Sequence, residues 1–348
     1  MGWKGTVRSI QAASRAAERD AKRRQREREK QHRELMKQAE LAHAADVVAA
    51  YEDVVESLSS VHRHASADVV DWEAIASYHP GPPPERGSDH EDQALESLTD
   101  YSPSLMDKVL GRGEKRVRQL EEAVGEGRRA DDAAHDRAIR VHRAAITQAD
   151  HERQLAERVL SGDPAAFRDA LHALHPFDEI SDLGTNITFG FSTSDGDGLT
   201  GLDDVLVRAS ISVHGKDIIP EERFSLLQSG KLSKKKMPVG QYNELHQDYV
   251  CGCLLRVASE LLAILPVEGV VVTATDEMLD TSTGHIEEQA IASVYAPRRT
   301  MERLNLQAAD ASDSMANFLH RMTFRKTKGF APVDELTRED IPALAASD

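Results

Sequence analysis

Cysteine, aromatic residues and long apolar runs are all scarce in this chain. Its 348 residues include only two cysteines, Cys251 and Cys253, which are too close together to form a disulfide framework, and only 5% aromatic residues. The most apolar stretch, residues 261–273, contains a proline, a glutamate and a glycine and is shorter than the roughly 20 apolar residues that span a bilayer. We therefore expect a cytoplasmic protein without a secretory signal and without a membrane partner.

Positive charge is also in short supply, since the formal net charge is −16. A negative molecule is a poor binder of nucleic acid or of an anionic membrane as a whole, because phosphate contacts require cations. Residues 1–40 are an exception, with twelve Lys and Arg against six Asp and Glu. The pattern indicates a basic N-terminal segment attached to an acidic remainder.

Proline and glycine are missing from residues 7–65, where Ala, Glu, Arg, Lys and Gln dominate. These residue types lose little on entering a helix, so the segment predicts one very long helix. Its second half has apolar or small residues spaced alternately three and four apart, which is the coiled-coil spacing. The positions of this seam are Leu41, Ala44, Val48, Tyr51, Val55, Leu58 and His62.

The first half of this helix, residues 18–34, has no apolar stripe and is expected to lie in solvent. A sharper alternative is a basic arm that contacts nucleic acid or an acidic protein surface. The residues of that arm are Arg23, Arg24, Arg26 and Arg28. A second basic patch, interpreted as a loop, consists of Lys231, Lys234, Lys235 and Lys236.

A proline-rich stretch at 79–85 predicts a turn, after which residues 104–161 again read as a long helix. Two helices of similar length joined by a turn predict an antiparallel helical hairpin, a coiled coil, across residues 1–162. The alternative is that one or both helices pair with a second copy of the chain.

Residues 163–330 predict an α+β domain of ββαββ type with an antiparallel sheet, and residues 331–348 predict a flexible tail. The expected strands are 186–192, 205–213, 269–275 and 287–295, and the expected central helix is 241–265. Short helical pieces are expected near 299–306 and 314–318.

Catalytic motifs of known spacing are absent from the sequence, including the Walker A, G-x-S-x-G and H-E-x-x-H patterns. We expect no cofactor, and the C-x-C pair is not a zinc half-site because its sulfurs would diverge on a helix. His285 follows a glycine at a predicted hairpin tip, where it could act in acid–base chemistry with Glu287. Asp203, Asp204 and Asp276, again with Glu287, are the acidic residues that a metal-dependent hydrolase or nuclease would use.

These features favour a non-enzymatic interaction or scaffold protein, in which the coiled coil oligomerises or docks a protein partner and the α+β domain recognises a protein or ligand. Two alternatives remain open. One is a divergent metal-dependent hydrolase or nuclease in the C-terminal domain, and the other is nucleic-acid binding through the basic N-terminal helix.

Overall fold

A helix of 57 residues opens the chain in the computed structural model, which describes residues 3–65, 69–102, 112–177, 186–193, 205–213, 218–279 and 283–341. The helices are α1 (Trp3–Ser59), α2 (Trp72–Ser77), α3 (Asp89–Thr99), α4 (Gly113–Leu160), α5 (Pro164–Leu174), α6 (Val239–Ile264), α7 (Arg298–Met301) and α8 (Ala311–Ser314). The strands are β1 (Asn186–Thr193), β2 (Val205–Ser212), β3 (Glu222–Leu226), β4 (Leu232–Lys236), β5 (Gly269–Leu279), β6 (Ile286–Pro297), β7 (Leu319–Arg325) and β8 (Gly329–Ala331).

The apolar seam of α1 packs on the C-terminal half of the chain. Its extensive contacts are with α6 and with the β3–β4 hairpin. Tyr51 meets Phe224 edge-on with 5.8 Å between ring centroids, and a Cβ added at Gly230 would lie 3.0 Å from Leu41. Leu58 is buried at the end of the seam.

The predicted coiled coil between the two long helices is not confirmed. The extensive contacts of α4 are with α3, α2 and α5, whereas those of α1 lie elsewhere. The physical reason is that the seam of α1 already has an apolar partner in α6 and the hairpin. The short helices α2 and α3, on either side of the predicted turn at 79–85, cover α4 instead.

The junction of α3 with α4 depends on a glycine and an aspartate of α4. A Cβ at Gly127 would lie 2.5 Å from the His90 carbonyl oxygen, so only glycine permits this approach. Asp131 accepts hydrogen bonds from the backbone N–H groups of His90 (3.2 Å) and Glu91 (2.9 Å), and so caps the first turn of α3. Glycine at 127 therefore permits helix packing and does not break α4.

The six strands of the main sheet in the described residues follow the order β1-β2-β5-β6-β7-β8. The prediction of an antiparallel sheet is wrong at one pairing, because β2 and β5 are parallel, with Val207 opposite Val270. Helix α6 lies between these two strands in the chain, and parallel neighbours require such a crossover. The sheet is therefore mixed, and both predicted hairpins, β1–β2 and β5–β6, are antiparallel within it.

Four strands of the structure have no counterpart in the sequence prediction. β7 and β8 extend the sheet beyond β6, and β3 pairs with β4 as a separate two-stranded ribbon. The interpretation of the Lys231 to Lys236 segment as a loop is wrong, because Leu232 to Lys236 form β4. Short strands rich in lysine have no strong β-propensity, and pairing decided their conformation.

Both faces of the sheet are covered. Helix α6 packs on one face, in a buried cluster that also contains Leu58, Trp72 and Val159 from the predicted helical region. On the other face Leu336 packs against Leu206, Val271 and Tyr295. Of the segment predicted as a flexible tail, Leu336 and Ile341 therefore pack on this face of the sheet, and the Val333 N–H donates to the Ala290 carbonyl oxygen of β6 at 2.9 Å.

Candidate functional site

The N-terminal part of α1 stands away from the rest of the described structure. From residue 19 to residue 40 every side chain that is described is exposed, while burial begins with Leu41 and Ala44. We call residues 19–40 the arm. Leu35 and Met36 are 63% and 59% exposed, so even the apolar side chains of the arm have no covering partner in the described part of the chain.

Most cations of the arm are not neutralised. Arg23 forms an exposed ion pair with Glu27 at 3.4 Å. No ion pair is found for Arg24, Arg26 or Arg28 within the described ranges. Exposed pairs contribute little, so the arm presents its arginines to solvent.

The structure brings the second basic patch to the base of this arm. The β3–β4 ribbon turns at residues 227–231, where the Leu227 N–H donates to the Lys231 carbonyl oxygen at 2.9 Å. Gly230 in that turn adjoins Leu41, and Lys231 follows it directly. Two basic segments that are about 200 residues apart in sequence thus meet in space, a proximity that no sequence motif signals.

The lysines of the ribbon differ in how they are paired. Lys234 contacts the Glu222 carboxylate at 2.5 Å and lies over the Phe224 ring, 5.7 Å from its centroid. Lys235 and Lys236 are exposed, and no ion pair is found for either within the described residues. Lys234 therefore has partners within the ribbon, whereas Lys235 and Lys236 face solvent without an ion pair in the described residues.

The predicted catalytic residues are only partly brought together. Asp276 lies opposite Gln289, and Glu287 lies opposite Met278, on the outer part of the β5–β6 hairpin. Glu287 and His285 are exposed, while Asp203 and Asp204 lie outside the described residues. Among the residues that the structure describes, no group of three or more His, Cys, Asp or Glu side chains could hold a metal ion.

Glu288 on β6, which neighbours Glu287 and was a candidate with His285 from the sequence, has a defined hydrogen-bond partner at this hairpin. Its carboxylate accepts a hydrogen bond of 2.6 Å from the Thr275 hydroxyl. The Thr275 hydroxyl also lies 3.3 Å from the Ile211 carbonyl oxygen on β2. These contacts connect three strands at the bulge between Ala274 and Thr275 and are structural in character.

Both cysteines are buried in α6 and behave as apolar side chains. Burial raises the pKa of Cys251 far above its usual range and raises the pKa of Cys253 to about 12. A thiol with so high a pKa is a weak nucleophile and a weak metal ligand at neutral pH. Cys251 and Cys253 are therefore free thiols that pack as apolar side chains in the core.

The buried seam residue His62 lies near an acidic cluster. The His62 Nε2 donates to the Ala309 carbonyl oxygen at 3.0 Å, and no hydrogen-bond partner is found for Nδ1 among the described residues. Burial lowers the pKa of His62. Burial raises the pKa of the nearby Asp248 carboxyl, and the charges of Asp310, Glu244 and Asp313 raise it further.

A shallow groove of about 390 Å³ lies between α3 and α4, lined by His90, Gln93, Ala94, Ser97, Glu126, Gly127 and Ala130. It is the outer side of the close α3–α4 approach at Gly127. Its lining is small and polar, without the convergent apolar wall that is typical of ligand pockets. The groove therefore follows from helix packing.

Comparison with protein-family models, with curated proteins and with solved structures finds no match to this chain. None of the described helices combines the length and the apolar character needed to cross a membrane.

Proposed function

We propose that this chain is a non-enzymatic interaction or scaffold protein, in which the mixed α/β body anchors α1 and the arm of α1 docks a partner. The supporting observation is the change along one helix, from a buried or half-buried seam at Leu41 to Leu58 to an arm at 19–40 in which every described side chain is exposed. A solvated helix of about 20 residues gains little stability by itself. Association would supply the contacts that this part of α1 lacks.

The sequence of the arm supports a docking role. Exposed Leu35 and Met36 are adjacent in its C-terminal half, beside Lys37, whose aliphatic stem adds apolar surface that a partner could cover. Self-association through α1, the protein partner expected from the coiled-coil pattern, is one form of this proposal. Docking of a different molecule is the other.

The test is amide hydrogen exchange of the full chain, read by peptide mass spectrometry, together with light scattering behind a sizing column. In a dilute monomer we expect fast exchange over residues 19–40 and strong protection over 44–58, because only the second segment is packed. Protection of 19–40 that rises with protein concentration, in parallel with the mass, would identify a second copy as the partner. Strong protection of 19–40 in a monomer would overturn the proposal, since the arm would then be packed within its own chain.

Thermal unfolding in the presence of Mg²⁺, Mn²⁺, Ca²⁺ or Zn²⁺, compared with unfolding in EDTA, distinguishes a metal-dependent hydrolase or nuclease from this proposal. A ligand that binds only the folded state raises the midpoint temperature of unfolding. The interaction proposal expects no metal-dependent shift. A shift that disappears in Asp276→Asn or Glu287→Gln, but persists in the neighbouring Glu277→Gln, would support the enzyme.

A further inference from the structure

The cations of the arm are not distributed evenly around α1. At about 100° per residue, the seam from Leu41 to Leu58 defines one side of the helix, and this side continues into the arm. Seven cations of the arm lie within about 50° of that direction: Arg19, Lys22, Arg23, Arg26, Lys30, Arg33 and Lys37. We call these seven the cationic stripe.

Four of the five acidic residues of the arm lie on other sides of the helix, and the exception is Glu40, about 50° from the seam direction at the base of the arm. Asp20, Glu27, Glu29 and Glu34 are each turned about 70° or more from the seam direction. Arg24 and Arg28 are on the opposite side of α1, about 150° or more away. The modest net charge of the arm therefore conceals one side with seven cations, of which Arg23 is paired with Glu27 at the edge of that side.

This same side of α1 contacts the β3–β4 ribbon. Leu41 touches the ribbon turn at Gly230, and Lys37 precedes Leu41 by one helical turn. Lys231, which follows Gly230 and is exposed, thus lies near the base of the cationic stripe. No ion pair is found for Lys30, Arg33, Lys37 or Lys231 in the ranges that the structure describes.

The chemistry of the stripe favours a polyanion over a protein surface. Protein interfaces have an apolar centre rich in aromatic residues, methionine and arginine, from which lysine is depleted. Residues 19–34 contain no apolar side chain larger than alanine. Nucleic-acid interfaces are polar and strongly positive, and arginine pairs with phosphate through two parallel hydrogen bonds.

The stripe also favours a duplex over a single strand. Binding of single strands uses aromatic side chains on which bases stack. Residues 19–40 contain no Phe, Trp or Tyr. The straight stripe from Arg19 to Lys37 is about 27 Å long at 1.5 Å per residue, which matches roughly eight base pairs at 3.4 Å each.

The net charge of −16 does not prevent this contact. Charges are screened over about 8 Å at physiological ionic strength. Most of the stripe lies farther than that from the body, because each helical turn adds about 5.4 Å. The acidic body repels a phosphate chain at the base of the arm and has little influence at its far end.

We propose that the cationic stripe and Lys231 bind the phosphate backbone of duplex nucleic acid without reading its sequence. The inference rests on the proposed function, because it requires an exposed arm. It names phosphates as the chemistry that the arm recognises.

The experiment is fluorescence anisotropy of labelled mixed-sequence duplexes, DNA and RNA in separate arms, with the full chain at several salt concentrations. The double variant Arg26→Gln/Lys30→Gln removes two charges from the stripe. The matched control Arg24→Gln/Arg28→Gln removes two charges from the opposite side of the same turns. For DNA we expect the salt slope of log K to fall by about 1.8 in the first variant, by about 0.9 in Lys231→Gln, and to change little in the control.

Several outcomes would overturn the inference. These are no duplex binding at low salt, equal weakening by the stripe variant and its control, or competition by polyglutamate as effective as that by duplex. The last result would identify an acidic protein as the partner. If any of these results is found while residues 19–40 exchange fast, duplex binding is wrong and the proposed docking function stands. If residues 19–40 of the monomer are strongly protected, both the docking function and duplex binding are wrong. Recognition of the backbone alone predicts equal affinity for DNA and RNA duplexes. Tighter binding of one of them would identify which nucleic acid supplies the phosphates.

Discussion

At the residue scale, two buried polar side chains hold together segments that are distant in the sequence. His62 bonds to Ala309 in the loop before α8, and Asp131 on α4 bonds to the first turn of α3. Burial alone would raise the pKa of Asp131, but hydrogen bonds from the N–H groups of Glu91 and His90 lower it. Asp131 is therefore a carboxylate at neutral pH, as a helix cap requires.

His62 predicts how stability depends on pH. Its folded-state pKa is lowered by burial, so the unfolded chain binds the proton more readily. The stabilising contribution is complete above the unfolded pKa of about 6.5 and is lost as the pH falls below it. We expect the urea concentration at the midpoint of unfolding to fall as the pH is lowered from about 8 to about 5, the range in which histidine titrates. The fall should be less steep in His62→Gln. His32→Gln, on the exposed arm, is the control and should keep the wild-type slope.

Gly127 and Gly125 are a matched pair on the same helix. Nothing lies within 4 Å of a Cβ at Gly125, so Gly125→Ala should raise the free energy of unfolding by about 0.5–1 kcal/mol. Gly127→Ala must push α3 away from α4 and should lower it by about 1–3 kcal/mol. Chemical denaturation measures both, and equal effects would show that α3 does not approach α4 as described.

At the scale of elements, α1 is helical throughout, but its C-terminal part is packed on the body and its arm is exposed to solvent. Helix propensity is high along its whole length, so one helix forms through both the seam and the arm. What differs is packing: the seam has α6 and the ribbon as partners, and the arm has none in the described structure. The base of α1 is thus part of the body's core.

Leu58 and Leu35 test this division. Leu58 is 2% exposed, and truncation to alanine should cost about 2–5 kcal/mol of unfolding free energy. Leu35→Ala, at an exposed position of the same helix, should stay within about 0.5 kcal/mol. A small effect of Leu58→Ala would mean that α1 folds independently of the body.

For the whole molecule, the shared core predicts cooperativity across the expected domain boundary at residue 162. Leu58, Val159 and Leu254 belong to one buried cluster. Native-state hydrogen exchange should therefore give the same opening free energy for 44–61, 156–171 and 250–264, the global value. A lower value for 44–61 alone would indicate a separate helical domain and contradict a single core.

The sequence alone was sufficient to predict the long helices, the two hairpins β1–β2 and β5–β6, and the central helix, because propensity, periodicity and turn residues are local properties. It did not reveal β3, β4, β7 and β8, which are short and depend on pairing for their conformation. The basic residues were visible one by one. Their convergence was not, since it depends on which surface the seam of α1 selects.

What the amino-acid sequence determined by itself is that residues 41–58 need an apolar partner and that residues 19–34 cannot be buried. Only the tertiary structure decided that α6 and the β3–β4 ribbon, and not α4, provide that partner. A heptad pattern specifies a side of a helix and leaves open what covers it, because burial of apolar surface is non-directional. Tertiary contacts between residues distant in the chain likewise determine the close approach of α3 to Gly127 and the parallel pairing of β2 with β5.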